Sequence, residues 1–218
     1  MVRYKTILKR AISEFEEKKS TFIGYVSPCK TEEEALDFID EINKKHHDAT
    51  HNCTAYIIGE NAFIQRYDDD GEPQGTAGIP ILEVLKKENL TNICCVVTRY
   101  FGGTLLGASG LIRAYTKGAS DSIEESLIVE MKDYYKVNIS LDYTYIGKFD
   151  NWLNLSDNVE IDRTYSDKVE VKIYVDVDEY EDMEKELLDM TSANISIDIY
   201  EELLVPTKDN KAIIGGSL

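Results

Sequence analysis

The chain has 218 residues, with 24 Lys and Arg against 41 Asp and Glu, a net charge of −17 and an isoelectric point near 4.6. At 43% hydrophobic and 30% charged it has a globular composition, long enough for one large domain or two small ones. Acidity of this size excludes broad coating of nucleic acid through phosphate neutralisation, and a polybasic membrane-surface anchor as well.

In chain order, residues 1–10 carry four basic side chains with no apolar segment after them, so no leader is expected. Residues 20–26 form a β-prone run ended by Ser27-Pro28. Thr31 and Glu34 have the spacing of a capping box, and Ala35, Phe38, Ile39 and Ile42 then fall on one helical face. Strands are predicted over 53–58 and 62–67, an acidic loop over 68–75, and a helix starting near Pro80. Residues 92–100 read as a buried strand, followed by a glycine-rich turn over 101–110 and a helix to about 126. A strand is predicted over 131–141 and a short helix carrying Ile146, Phe149 and Leu153. Strands follow over 159–164 and 169–177, the second with strict apolar alternation from Val169 to Val177. Tyr180, Met183, Leu187 and Met190 mark a last helix, and Ile195, Ile197 and Ile199 a last strand. From residue 131 the order is β-α-β-β-α-β, the split, ferredoxin-like arrangement.

The charge is stepped along the chain. Residues 1–130 hold 15 basic and 21 acidic side chains, net −6, and residues 131–218 hold 9 and 20, net −11. The step predicts two domains, 1–130 and 131–206, with 207–218 as a loose tail. No run reaches the roughly 18 apolar residues of a membrane helix, and the four cysteines, Cys29, Cys53, Cys94 and Cys95, show neither paired spacing nor a secretory context. Buried, unpaired thiols in a cytoplasmic protein are expected.

Three stretches have the residue types of chemistry. Gly102, Gly103 and Gly107 lie between a strand and a helix, where backbone N–H groups and a helix N-terminus receive anions. Arg99 and Arg113 flank the turn, but Ala108 stands where a nucleotide-binding loop has its lysine, which argues against an NTPase. The plainer reading is a tight strand–helix connection. The acidic loop fails as a calcium loop, with Arg66 and Ala77 at two ligand positions, whereas magnesium on Asp69, Asp70 and Glu72, beside Asp68, needs fewer ligands. The alternative is a solvated turn. His47, His51 and Cys53 are three N/S donors for zinc, set against histidines serving as hydrogen-bonding residues. No nucleophile signature is present and no cofactor is called for.

Three blocks resemble the signature of the IMPACT family, whose bacterial members are called YigZ-like: Asp69-Asp70-Gly71-Glu72-Pro73-Gln74-Gly75-Thr76-Ala77-Gly78-Ile79-Pro80, Val96-Val97-Thr98-Arg99-Tyr100-Phe101-Gly102-Gly103, and Leu111-Ile112-Arg113-Ala114-Tyr115. The segment from His47 to Ala55 is similar to the family's His-and-Cys stretch. The resemblance implies an α+β protein with a ribosomal-protein-like N-terminal α/β domain built on a left-handed βαβ unit, and a ferredoxin-like C-terminal domain. Such a pair is similar to the last two domains of elongation factor G. It also implies an area of biology rather than an activity: a translation-associated regulatory or binding role through a ribosome, RNA or translation-factor partner, with no membrane association. With no recognisable catalytic machinery, a non-catalytic role is the first reading, and whether it is an enzyme stays open. Gly75, Thr76, Arg99, Tyr100, Gly102, Gly103, Gly107, Arg113 and Tyr115 are then the candidate binding residues. Leu105 replaces a lysine common in the family after the double glycine, which removes a phosphate-contacting charge, and Ser109 replaces part of a second glycine pair. The alternative is a magnesium-dependent enzyme acting on a phosphate-bearing small molecule or nucleotide. The oligomeric state is not readable from the sequence.

Overall fold

The computed structural model describes residues 1–213, and its chain folds as two compact units, Tyr4–Val129 and the residues from Glu130 on, to which Met1–Arg3 also belong. The chain begins with β1 (Val2–Ile7), β2 (Ala11–Glu17) and β3 (Ser20–Pro28), followed by α1 (Glu32–Lys45), β4 (His51–Ile58) and β5 (Ile64–Asp68). Then come α2 (Gly78–Lys87), β6 (Ile93–Tyr100) and α3 (Ala108–Glu124).

The sheet of the first unit runs β2-β3-β6-β4-β5, every neighbouring pair antiparallel. β3 and β4 both pair with β6 and therefore run parallel to each other, with α1 as the crossover of a βαβ unit that has a third strand between its two. Side chains alternate across the sheet, so β6 feeds two cores. Cys94 and Val96 pack with Ala35, Phe38 and Ile42 of α1. Ile93, Cys95 and Val97 pack with Ile81 and Leu85 of α2 and Leu111, Tyr115 and Ala119 of α3. A strand covered on both faces reads as a continuous apolar run, which is why Ile93-Cys94-Cys95-Val96-Val97 shows no alternation in sequence. The α1 start follows from its residues: Thr31 Oγ1 accepts from Glu34 N at 3.2 Å, while the Glu34 carboxylate accepts from Lys30 N at 2.6 Å.

The second unit comprises β7 (Ile128–Leu141), α4 (Ile146–Leu155), β8 (Val159–Tyr165), β9 (Val169–Asp176), α5 (Tyr180–Thr191) and β10 (Ile195–Lys208), with a short β11 (Lys211–Ala212). Its strand order β10-β7-β9-β8, all antiparallel, is the ferredoxin-like topology. Val169, Val171, Ile173 and Val175 of β9 are buried against Phe149 of α4 and Met183 and Leu187 of α5.

Two expectations change. The stretch expected as a loose tail is paired as far as Ala212: Thr207 is buried with its hydroxyl on the Glu130 carbonyl at 2.8 Å, and β11 pairs with β10. The rest of that tail, 214–218, lies outside the described residues. β1 and β2 had no predicted counterpart. β2 is an edge strand whose Glu14, Glu16 and Glu17 dilute its apolar alternation, a common way of blunting an exposed edge.

A candidate binding pocket beside the acidic loop

The pocket grows out of strand register. Phe22 of β3, Arg99 of β6 and His51 of β4 are direct cross-strand partners, so they form one row on the sheet face that α2 and α3 cover. Between β5 and α2 the acidic loop turns back over this row. Asp70 and Gly71 both have positive φ, 43° and 82°, which reverses the chain and brings Glu72 down onto Arg99.

Arg99 and Glu72 make a buried ion pair, Nη1 to Oε1 at 2.6 Å, with side chains 6% and 3% exposed. The same Oε1 accepts from the Tyr115 hydroxyl of α3 at 2.8 Å. Arg99 Nη2 donates to Ser20 Oγ at 3.4 Å, its guanidinium carbon lies 5.3–5.5 Å from the Phe22 and Phe101 rings, and its Nε is buried without a partner. His51 Nδ1 donates to the Asp70 carbonyl at 2.6 Å, which leaves Nε2 unprotonated in the neutral ring, 3.9 Å from Glu72 Oε2. Burial pushes the Tyr115 phenol and the Cys53 thiol far above their ordinary values, and Glu72 adds to both.

Over these groups lies a hollow of about 400 Å³, lined on its polar side by Thr50, His51, Glu72 and Arg99. Pro73, Phe101, Leu105, Leu106 and Leu111 supply its apolar side, and Gly107 with Ala108 brings in the first turn of α3. Leu105, at 82% exposure, stands on the rim with half-exposed Phe101. The site can therefore take an apolar group with a polar end, the usual composition of a ligand or side-chain pocket.

Several sequence candidates are committed elsewhere. The Asp69 carboxylate accepts from the backbone N–H of Gly75, Ala77 and Gly78 at 2.7–3.0 Å and so caps the start of α2. Asp70 accepts from Asn52 N at 2.6 Å, and the Cys53 thiol donates to the Asp69 carbonyl at 3.0 Å. Among the described residues no three His, Cys, Asp or Glu side chains gather as a metal site, so His47, His51 and Cys53 do not form one; His47 is exposed, while His51 and Cys53 bond to backbone carbonyls of the acidic loop. The structure does not bring Arg113 to Arg99: it is exposed and lines a separate hollow with Phe15, Lys18 and Lys117.

Gly75 and Thr76 belong to the acidic loop, where Thr76 Oγ1 donates to the Pro73 carbonyl at 2.7 Å. Tyr100 faces the other side of the sheet. Its hydroxyl donates to Asp48 at 3.1 Å and meets His46 Nδ1 at 2.9 Å, while Tyr25 meets His46 Nε2 at 2.6 Å. Because the one Tyr100 proton goes to Asp48, Nδ1 is the donor and Nε2 accepts from Tyr25, the neutral tautomer, and burial lowers the His46 pKa. Gly102 is architectural, since a Cβ there would sit 1.8 Å from the Lys19 carbonyl, while Gly103 and Gly107 have φ of 82° and 73°. Thr50, Phe101, Leu106 and Leu111 were not among the candidate binding residues; Phe101 and Leu111 lie in the second and third blocks, which were the available signal, and Leu106 lies between them.

A two-domain α+β protein, with a buried carboxylate–guanidinium pair under an apolar-rimmed pocket in one unit and a ferredoxin-like second unit, is the class these features define. The chain belongs to the IMPACT family. The Impact N-terminal domain matches residues 18–123 and a domain of unknown function, DUF1949, matches residues 139–194. The chain is 45% identical to the IMPACT family member YvyE of Bacillus subtilis (strain 168), over 89% of each chain. It is 29% identical to the IMPACT family member YigZ of Escherichia coli (strain K12), over 86% of this chain and 93% of that one. The Protein IMPACT of Oryctolagus cuniculus matches 42% of this chain at 35% identity, which is 30% of the rabbit protein. A solved structure titled as a hypothetical protein superposes with a TM-score of 0.58 at 26% identity, covering 91% of this chain and 97% of that one.

Proposed function

We propose that this protein is a translation-associated regulatory binding protein, without catalytic activity, whose N-terminal pocket receives an apolar side chain of a ribosomal or translation-factor protein. The observation that carries the reading is how the reactive groups of the signature are used. Glu72, Arg99, Tyr115, Asp69, Asp70 and Cys53 bond to one another or to backbone and lock the acidic loop to the sheet. What they leave accessible is an apolar rim, Leu105 and Phe101, around about 400 Å³. An apolar rim on a chain of net charge −17 suits a protein surface better than a phosphate backbone. The translation context rests on the family resemblance of the three blocks. The magnesium-enzyme alternative finds its carboxylates already engaged.

The test is sedimentation of the purified protein with ribosomes in low salt, wild type beside Leu105→Asp, which changes only an exposed rim residue. Wild type is expected in the ribosomal pellet and the variant in the supernatant. A wild type that stays wholly soluble, and captures no translation factor in pull-down, refutes the proposal.

A further inference from the structure

The second unit has a larger hollow, about 810 Å³, unrelated to the signature residues. It lies between α4 and α5. Trp152 and Leu155 of α4, with Met183 and Met190 of α5, form its apolar surface. Asp157, Glu179, Asp182 and Glu186 stand around it, and among the described residues Lys148 is the one cation lining it. Leu155, the last residue of α4, is 81% exposed. The indole N–H of Trp152 donates to Glu186 at 2.8 Å, tying the ring across the groove from one helix to the other.

We propose that this groove docks a basic amphipathic helical segment of a protein partner. Its apolar surface has the half-buried tryptophan, exposed Leu155 and the flexible, partly buried Met190, which can adapt to the face of an inserted helix, over a floor of buried Met183. Among the described residues its lining has four carboxylates against one ammonium group, with Asp157 also 3.8 Å from Lys211, in the part of the chain, 131–218, that carries −11 of the net charge. Lysines beside the apolar stripe of the segment would meet these carboxylates. Charge also selects against other occupants: a second copy would face this groove with like charge, and nucleic acid or an anionic lipid surface would be repelled. The crowding is already felt, because burial together with Asp176 and Asp157 raises the Glu179 pKa, and a cationic partner relieves that repulsion. This surface is independent of the N-terminal pocket, so its test and the ribosome test fail separately.

Trp152 is the only tryptophan of the chain, so its fluorescence reads the groove directly. The probe is a synthetic 18-residue peptide of Leu and Lys with one apolar face, titrated into the full chain. Saturable change in Trp152 emission is expected, with affinity falling at least tenfold in the Asp157→Lys/Asp182→Lys variant and several-fold in Leu155→Ser. Two controls on the wild-type protein are expected to leave the emission unchanged: a Leu/Glu peptide of the same pattern, and a Leu/Lys peptide scrambled to abolish the apolar face. The proposal is overturned if the patterned Leu/Lys peptide gives no change, or if either control binds as well. It is overturned equally by a folded charge-reversed variant, checked by circular dichroism, that binds as tightly as wild type.

Discussion

The Arg99–Glu72 pair is the most direct place to perturb the first unit. Glu72→Gln keeps the shape of the side chain and an oxygen for the Tyr115 hydroxyl, so it removes little but the charge. Arg99 is then left cationic, 6% exposed, and with an Nε that has no partner even in the native protein. Taking away one member of a buried ion pair costs about 3–5 kcal/mol, because the remaining charge is neither solvated nor paired. Against a total stability of about 5–15 kcal/mol this is a large fraction. Arg99→Met strands the carboxylate instead and should cost a similar amount. In Glu72→Gln/Arg99→Met neither charge remains, so the double variant should be more stable than the sum of the single losses predicts, by about 1–3 kcal/mol. Urea unfolding followed by far-UV circular dichroism gives the midpoints. Trp152 lies in the second unit, so its fluorescence follows the unfolding of that unit. A loss below about 1 kcal/mol in Glu72→Gln, or additivity within about 0.5 kcal/mol, would refute the view that the pair is a tightly coupled clamp.

Other consequences are equally open to measurement. Asp69→Ala frees the three N–H groups of Gly75, Ala77 and Gly78 and should cost about 2–3 kcal/mol, with the same loss in the presence and absence of Mg²⁺; a loss that appears only with Mg²⁺ would point to metal binding instead. The four cysteines should resist a thiol reagent in the native protein and react once it is unfolded in urea. All are buried, and burial pushes Cys95 up to about 12. Fast labelling of any one in buffer would contradict this. Stability should fall on acidification through His46. Its folded pKa lies below the ordinary 6.5, so the unfolded chain takes up the proton first. Its contribution is whole above about pH 6.5 and declines between that value and the lowered folded pKa. His46→Gln should flatten that part of the urea-midpoint profile, and an unchanged slope would show that other groups govern it.

Local pattern carried most of the fold. The alternation from Val169 to Val175 and the helical spacing of Ala35, Phe38 and Ile42 each depend on residues close in sequence, and each is present in the structure. The ferredoxin-like order followed from element types alone. What escaped was governed by distant partners. β2 has little apolar alternation of its own and is defined by its full register with β3. The second half of β10 reads as a mixed Glu201, Glu202, Pro206 segment, yet it pairs with β7 residue by residue to Thr207. The site shows the same division. Glu72, Arg99 and Tyr115 stood out as residue types, but their meeting spans 43 positions from Glu72 to Tyr115, and nothing in the sequence separated a free anion site from a neutralised one. Arg113 illustrates the cost of judging by linear proximity. It sits two positions from Tyr115 and faces a different hollow, because successive positions on a helix diverge by about 100°.

This division also explains why the signature looks more reactive than its geometry. The loop between β5 and α2 has almost no secondary structure of its own, and ordering each of its residues costs about 1–2 kcal/mol of backbone entropy. Apolar packing can offset little of that in an exposed loop. Here the compensation is polar: three amides on Asp69, Asn52 on Asp70, the Cys53 thiol on a carbonyl, and Arg99 with Tyr115 on Glu72. Asp, Glu, Arg, His, Tyr and Cys suit this work for the same reason they suit catalysis, since each makes strong directional bonds in a poorly solvated place. In the function proposed above, a loop clamped so firmly holds Pro73 and the pocket wall rigid opposite Phe101 and Leu105, and rigidity would reduce the entropy lost on binding a partner there. Loosening the clamp should therefore weaken partner binding even where the rim residues are untouched.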